Sequence, residues 1–193
     1  MTTSRIISEK EQFDLTLERL CYHLIEDYDD FKDTCFVGIQ TGGVTLAERV
    51  LSKLRLITNN ALDVPFGKLD ITFYRDDFRT SKKPLAANIN DMAFLIENQR
   101  VILFDDVLYT GRSVQSAMTA LNHYGRPISI KLMVLVDRRF HRQLPVRADY
   151  IGVAVDALDD SYVQVEWLDT DVSAQSEPQQ VGADRIMHLF KKQ

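Results

Sequence analysis

A chain of 193 residues with 45% hydrophobic and 26% charged side chains has the make-up of one ordinary globular domain, which excludes disordered, collagen-like and low-complexity classes. Twenty-eight acidic against 23 basic residues leave a net charge of −5, so no bulk positive field advertises nucleic acid or an anionic membrane, and any polyanion site must be a local patch. Cys21 and Cys35 sit among apolar neighbours and read as buried free thiols of a reducing compartment. No stretch approaches the roughly 18 apolar residues of a spanning helix, and the first residues lack a signal peptide's apolar run. A single cytoplasmic domain over residues 1–193 is the expectation.

In chain order, Ser8 followed by Glu11 has the spacing of a capping box, and Phe13, Leu17, Leu20, Leu24 and Tyr28 then recur at helical spacing. Residues 35–39 form a short apolar run, followed by Thr41-Gly42-Gly43 and a helical pattern over residues 44–54; a strand, a tight loop and a helix are predicted. Leu69, Ile71 and Phe73 alternate with polar residues as in a strand. The basic stretch 75–90 breaks all periodicity and predicts a long mobile loop or hairpin.

Residues 101–104 read as a buried strand, 105–111 as a loop, and 113–124 as a helix with Val114, Ala117, Met118 and Leu121 inward and Gly125 as its stop. Residues 128–136 are apolar almost without interruption, as a central parallel strand must be. Residues 150–155 and 162–168 predict later strands, 169–181 a polar surface connection, and 184–191 a short terminal helix.

Ligands of an open parallel sheet bind beyond the carboxyl ends of its strands. There the run Val101-Ile102-Leu103-Phe104-Asp105-Asp106-Val107-Leu108-Tyr109-Thr110-Gly111-Arg112-Ser113 places two adjacent carboxylates at a strand end, then a turn that opens a helix. Free N–H groups of the turn, with the Thr110 and Ser113 hydroxyls, suit a phosphate dianion, and Gly111 permits close approach. Asp105 and Asp106 are repelled by phosphate and are better used on two neighbouring ribose hydroxyls, with a divalent cation offsetting their charge. A phosphorelay receiver also begins with acids at a strand end, but the Thr-Gly-Arg-Ser turn is better explained by a sugar phosphate.

This thirteen-residue arrangement resembles the phosphoribosyl pyrophosphate signature of the type I phosphoribosyltransferases. With Leu69-Asp70-Ile71-Thr72-Phe73-Tyr74-Arg75-Asp76-Asp77, Val134-Leu135-Val136-Asp137-Arg138 and Leu144-Pro145-Val146-Arg147-Ala148-Asp149-Tyr150-Ile151-Gly152, the chain is similar, from about residue 6 to residue 168, to the family of bifunctional pyrimidine-operon attenuators and uracil phosphoribosyltransferases. The resemblance implies an α/β, type I phosphoribosyltransferase fold, a twisted, mostly parallel sheet flanked by helices with a small hood, in a homodimer or higher oligomer. It implies transfer of ribosyl 5-phosphate from phosphoribosyl pyrophosphate to uracil, giving UMP with Mg2+ as cofactor. Asp105, Asp106, Val107, Leu108, Tyr109, Thr110, Gly111, Arg112 and Ser113 then hold the sugar phosphate, and Thr41 and Gly42 meet the pyrophosphate. Arg75, Asp105 and Asp106 are the catalytic set, no residue being a dedicated metal ligand, while Asp137, Arg138 and Val155 lie toward the base. Lys82 and Lys83 are further candidates for contact with pyrophosphate.

The family usually carries an arginine after the threonine of the pyrophosphate loop and often a lysine before it, where this chain has Gln40-Thr41-Gly42-Gly43. Two positive charges facing the leaving group are absent, so Gly42→Arg is expected to raise turnover. A second cluster, Arg138, Arg139, His141, Arg142 and Arg147, puts four arginines and a histidine into ten residues of an acidic protein. It suits the phosphates and exposed bases of a pyrimidine-operon leader RNA, with Arg139, His141, Arg142 and Arg147 as contacts. Equally, these arginines pair with Asp137, Asp149 and the acids of the first helix, or line a subunit interface. Two alternatives to the uracil enzyme stay open: a UMP-responsive RNA-binding regulator with vestigial transferase activity, and a purine or orotate transferase built on the same sugar-phosphate site.

Overall fold

Apolar runs that alternate with amphipathic helices can be buried only if the strands line up in one sheet with helices on its faces. The computed structural model, which describes residues 3–74, 91–157, 161–167 and 184–190, has this arrangement. Its elements are β1 (Thr3–Ser8), α1 (Lys10–Tyr28), β2 (Thr34–Ile39), α2 (Gly42–Ile57), β3 (Phe66–Leu69), β4 (Arg100–Leu108), α3 (Arg112–Leu121), β5 (Ser129–Arg138), β6 (Tyr150–Val155), β7 (Ser161–Glu166) and β8 (Arg185–Phe190). Five strands form a parallel sheet in the order β3-β2-β4-β5-β6, so all five carboxyl ends share one edge.

The sheet separates two apolar cores. On one face α1 and α2 bury Phe13, Leu17, Leu20, Leu24, Leu46, Val50 and Leu54 against Phe36, Ile102 and Phe104. On the other, α3 packs Val114, Ala117 and Leu121 over Val37, Val101, Leu103 and Val134. At about 1.5–3 kcal/mol per fully buried large apolar side chain, these interlocked layers hold the strand ends in place. Cys21 and Cys35 are buried and unbridged, and burial pushes both thiols up to about 12. No described helix is long and apolar enough to cross a membrane.

A second, antiparallel sheet of order β1-β8-β7 joins the two ends of the chain. It corrects two expectations. Ser8 is not a helix cap: it is the last residue of β1, 3% exposed, with its hydroxyl unpaired, and the N-cap of α1 is Glu9 without a side-chain bond. The terminal helix predicted over 184–191 is instead strand β8, because β1 and β7 pair with it on both sides and tertiary pairing overrides local propensity.

Other boundaries also move. The strand before the basic stretch is Phe66–Leu69; the alternation through Phe73 does not continue as strand, because Asp70 Oδ1 accepts the Thr72 N–H at 2.7 Å and the Thr72 hydroxyl, turning the chain into a 3-10 turn over Thr72–Tyr74. β4 runs to Leu108, so the acid pair lies within the strand and not in the loop that follows. α3 ends at Leu121, short of Gly125, and Met118 faces outward at 46% exposure while Ser116 and Ala120 turn in. The predicted loop at 75–90, with Arg75, Lys82 and Lys83, and the connection at 169–181 lie outside the described residues.

Candidate active site

Strand alternation sends Asp105 and Asp106 to opposite faces of β4. Asp106 turns toward α2, where a Cβ on Gly42 would stand 2.1 Å from its Oδ2 and 2.3 Å from its Cγ. A Cβ on the next residue, Gly43, would stand 2.2 Å from the carbonyl oxygen of Phe104. The loop from β2 to α2 therefore lies directly on the acid-bearing end of β4: a side chain at Gly43 would meet backbone, and one at Gly42 would require the Asp106 carboxylate to move. The Gln40–Thr41 peptide of this loop is cis, and Thr41 is the N-cap of α2.

Asp105 is 8% exposed, and its Oδ1 accepts the Asp106 N–H at 3.1 Å; Asp106 Oδ1 accepts the Val107 N–H at 2.9 Å. Burial, reinforced by the neighbouring Asp106 charge, lifts the Asp105 carboxyl well above the ordinary value. Burial also lifts Asp106, against the pull of its N–H donors. Among the described residues no lysine or arginine reaches either carboxylate. Two carboxylates without a counter-charge leave local negative charge that a divalent cation bound on substrate phosphate and water, as Mg2+ binds, would offset, and no described cluster of three or more His, Cys, Asp or Glu offers a cage of its own.

Beyond β4 the chain turns through Tyr109 and Thr110 into Gly111, whose φ of 92° is left-handed and costs least for glycine, and then enters α3. Thr110 Oγ1 accepts the Arg112 N–H at 3.4 Å. Among the described residues the backbone N–H groups of Thr110 and Gly111 have no protein acceptor. Ser113, partly buried, stands in the first turn of α3, so the turn and the helix start offer the free donors that a phosphate requires.

The base-side candidates stand on the two neighbouring strands. Arg138 pairs in register with Val155, and Asp137 with both Leu108 of β4 and Ala154 of β6. Arg138 is 4% exposed, lies 3.9 Å over the Tyr109 ring, and has no hydrogen-bond partner for Nε or Nη2. A buried guanidinium with idle donors is costly unless something else accepts from it.

The arginine cluster does not form one surface. Arg142 is turned inward: its Nη2 donates to Asp137 Oδ1 and its Nη1 to the Tyr109 carbonyl at 2.5 Å. Arg139 forms a two-pronged pair with Asp156 at 2.6 Å on each arm. His141 and Arg147 are exposed, His141 meeting the Tyr109 ring edge-on at 6.4 Å. The seat of Gly42 on Asp106 and the grip of residues 142–144 on the turn were not readable from sequence, since each joins segments far apart in the chain. The one hint was the coincidence of arginines with nearby acids.

A model described as the phosphoribosyl transferase domain matches residues 5–172. A relative named bifunctional protein pyrR from Enterococcus faecalis is 42% identical over 171 residues, 89% of this chain and 88% of its own, and one from Geobacter sulfurreducens is 41% identical over 152 residues, 79% and 84%. Among solved structures, the hypoxanthine phosphoribosyltransferase of Trypanosoma cruzi superposes with a TM-score of 0.68 at 17% identity, covering 97% of each chain. A hypoxanthine phosphoribosyltransferase of Staphylococcus aureus does so with a TM-score of 0.62 at 20% identity, over 78% and 77%. At these identities the structures speak to fold alone, whereas the two relatives speak to kinship over most of the chain. The chain belongs to the phosphoribosyl transferase domain family, as a phosphoribosyltransferase akin to the proteins named bifunctional protein PyrR.

Proposed function

We propose that the protein transfers ribosyl 5-phosphate from phosphoribosyl pyrophosphate to N1 of uracil, releasing pyrophosphate and forming UMP. The observation that carries this reading is the unbroken passage from the uncompensated pair Asp105 and Asp106 into a turn with free N–H groups at Thr110 and Gly111. In it the N–H groups of the turn and the hydroxyls of Thr110 and Ser113 take the 5-phosphate, while Asp105 and Asp106 accept from the ribose hydroxyls. The bond from C1 of the ribose to the diphosphate oxygen breaks with its electron pair leaving on pyrophosphate, the N1–C1 bond forms, and the N1 proton goes to solvent. Mg2+ brought with the substrate, with no residue as its dedicated ligand, would offset the Asp105 and Asp106 charges and would supply charge neutralisation for the diphosphate. The residues themselves bind and orient the two reactants, and the loop at Thr41 and Gly42 closes the pyrophosphate side through its backbone. Arg75, outside the described residues, remains proposed as a contact for the leaving group.

Arg138 supports an oxo base. A guanidinium only donates, so its idle Nε and Nη2 suit a ring carbonyl and not the amino group of adenine or cytosine. Uracil, orotate, hypoxanthine and guanine with phosphoribosyl pyrophosphate form the deciding panel, read as nucleotide formed. Uracil is expected to turn over at least about tenfold faster than any other; faster conversion of a purine or of orotate would move the substrate assignment and leave the reaction class in place.

The relatives' shared name, bifunctional, supports a second activity beside transfer, for which we propose the regulation through a leader RNA that the sequence resemblance implies. Of the proposed contacts, Arg139 and Arg142 are engaged by Asp156 and Asp137, while His141 and Arg147 are exposed, and binding is expected to be weak and to fall steeply with salt. Filter binding with leader RNA and a scrambled hairpin tests it, equal retention of the two removing the regulatory role.

A further inference from the structure

We infer that Arg142 is a positioning residue for the phosphate-binding turn, acting through the backbone of residues 109–111. This rests on the proposed reading of that turn as the 5-phosphate site.

The loop after β5 grips the turn at successive peptide groups. Arg142 Nη1 donates to the Tyr109 carbonyl at 2.5 Å, and the N–H groups of Gln143 and Leu144 both donate to the Thr110 carbonyl, at 3.0 and 3.2 Å. In a trans peptide the carbonyl and the following N–H point in opposite directions. Drawing the Tyr109 carbonyl toward the loop therefore turns the Thr110 N–H away from it, and drawing the Thr110 carbonyl inward does the same for the Gly111 N–H. Among the described residues neither of these N–H groups has a protein acceptor. The loop sets the direction of the donors without touching the ligand.

Arg142 is the side chain on which this grip depends. Its other arm is bound to Asp137, and the two side chains are only 20% and 15% exposed, so the guanidinium is held from behind by a partly buried carboxylate at the end of β5. Gly111 packs in the same place: a Cβ there would meet Val146 at 3.3 Å and Leu144 at 3.4 Å. Lysine, a single point donor, cannot bridge the carboxylate and the carbonyl with the fixed fork of arginine.

The test compares wild type, Arg142→Ala and Arg142→Lys in the full chain, by calorimetric titration with phosphoribosyl pyrophosphate and by steady-state kinetics varying each substrate. Loss of the charge-assisted hydrogen bond that aims the Thr110 N–H, and of the side chain that anchors the loop holding the Thr110 carbonyl, is expected to raise the dissociation constant and KM for phosphoribosyl pyrophosphate by about ten- to a hundredfold in Arg142→Ala. The KM for the base should change less than about threefold, Arg142→Lys should recover part of the loss, and millimolar guanidinium should rescue Arg142→Ala. Equal affinity for wild type and Arg142→Ala would overturn the inference, as would equal losses for both substrates with no guanidinium rescue. If Arg142→Ala does not fold, an Arg142→Lys variant indistinguishable from wild type overturns it. A wild type that itself fails to bind phosphoribosyl pyrophosphate overturns the reading of the site, and this inference with it.

Discussion

Two loops face each other at the carboxyl edge of the sheet, and they are built on opposite principles. The end of β4 and the turn after it work through groups that are present: two carboxylates in the strand, then free backbone donors and a left-handed glycine held from behind by residues 142–144. The loop after β2 works through groups that are absent, since Gly42 and Gly43 have no Cβ and so let its backbone rest on Asp106 and on the Phe104 carbonyl. The first is a site of charge and direction and the second a site of space, so a side chain added to one is felt in the other.

The sharpest way to break this contrast is to put a side chain where space is required. From sequence alone, Gly42→Arg restores a missing positive charge and should raise turnover; the structure supplies a reason for the opposite outcome, because its Cβ would fall 2.1 Å from Asp106 Oδ2 and the carboxylate must move aside. Turnover is expected to fall by about a hundredfold, the scale of losing one well-placed electrostatic group. Steady-state kinetics on the folded variant decides it, and an increase would show that charge outweighs the fit.

A milder change sharpens the other loop. Thr110→Val removes the hydroxyl that accepts from the Arg112 N–H and is proposed to meet phosphate, while the clasp on the Thr110 carbonyl stays. Affinity for phosphoribosyl pyrophosphate should drop by about three- to tenfold, one ordinary hydrogen bond's worth. A hundredfold loss would mean that the hydroxyl and not the backbone carries the phosphate.

The smallest effect concerns stability and runs in the opposite direction from function. Because the folded chain keeps protons on Asp105 and Asp106 to higher pH than the ordinary 3.8, stability falls as pH rises from that value through the raised range, and the penalty is complete above it. Asp105→Asn removes the charge, so at pH 7.5 its Tm should exceed that of the ligand-free wild type by roughly 2–8 °C, at about 2–4 °C per kcal/mol for a chain of this size. The gap should close as pH drops toward the ordinary carboxylate range. Scanning calorimetry in chelator at several pH values measures it, and a lower Tm for the variant would show that the carboxylate is stabilised by its surroundings.

What could be read from the sequence was whatever one segment determines by itself. The parallel strands were legible because residues 101–104 and 128–136 are apolar on both faces, and the acid pair because strand, acids, turn and helix start are consecutive. The hood was not: β1 and β8 pair Thr3 with Phe190, and nothing in either hexapeptide announces a partner that distant. For the same reason Ser8 looked like a cap, and while pairing of the arginine cluster with Asp137 could be read as one alternative, the hold of Arg142 on the Tyr109 carbonyl could not.

The central claim is that the acid pair at the end of β4 holds a metal-bound phosphoribosyl pyrophosphate. Calorimetric titration of wild type and of Asp105→Asn with Asp106→Asn, each with and without Mg2+, tests it most directly. The account predicts Mg2+-dependent binding to the wild type and at least about a hundredfold weaker binding to the folded double variant, the scale expected when charge-assisted contacts to ribose and metal are lost together. Equal affinity in the double variant, or wild-type binding indifferent to Mg2+, would contradict it.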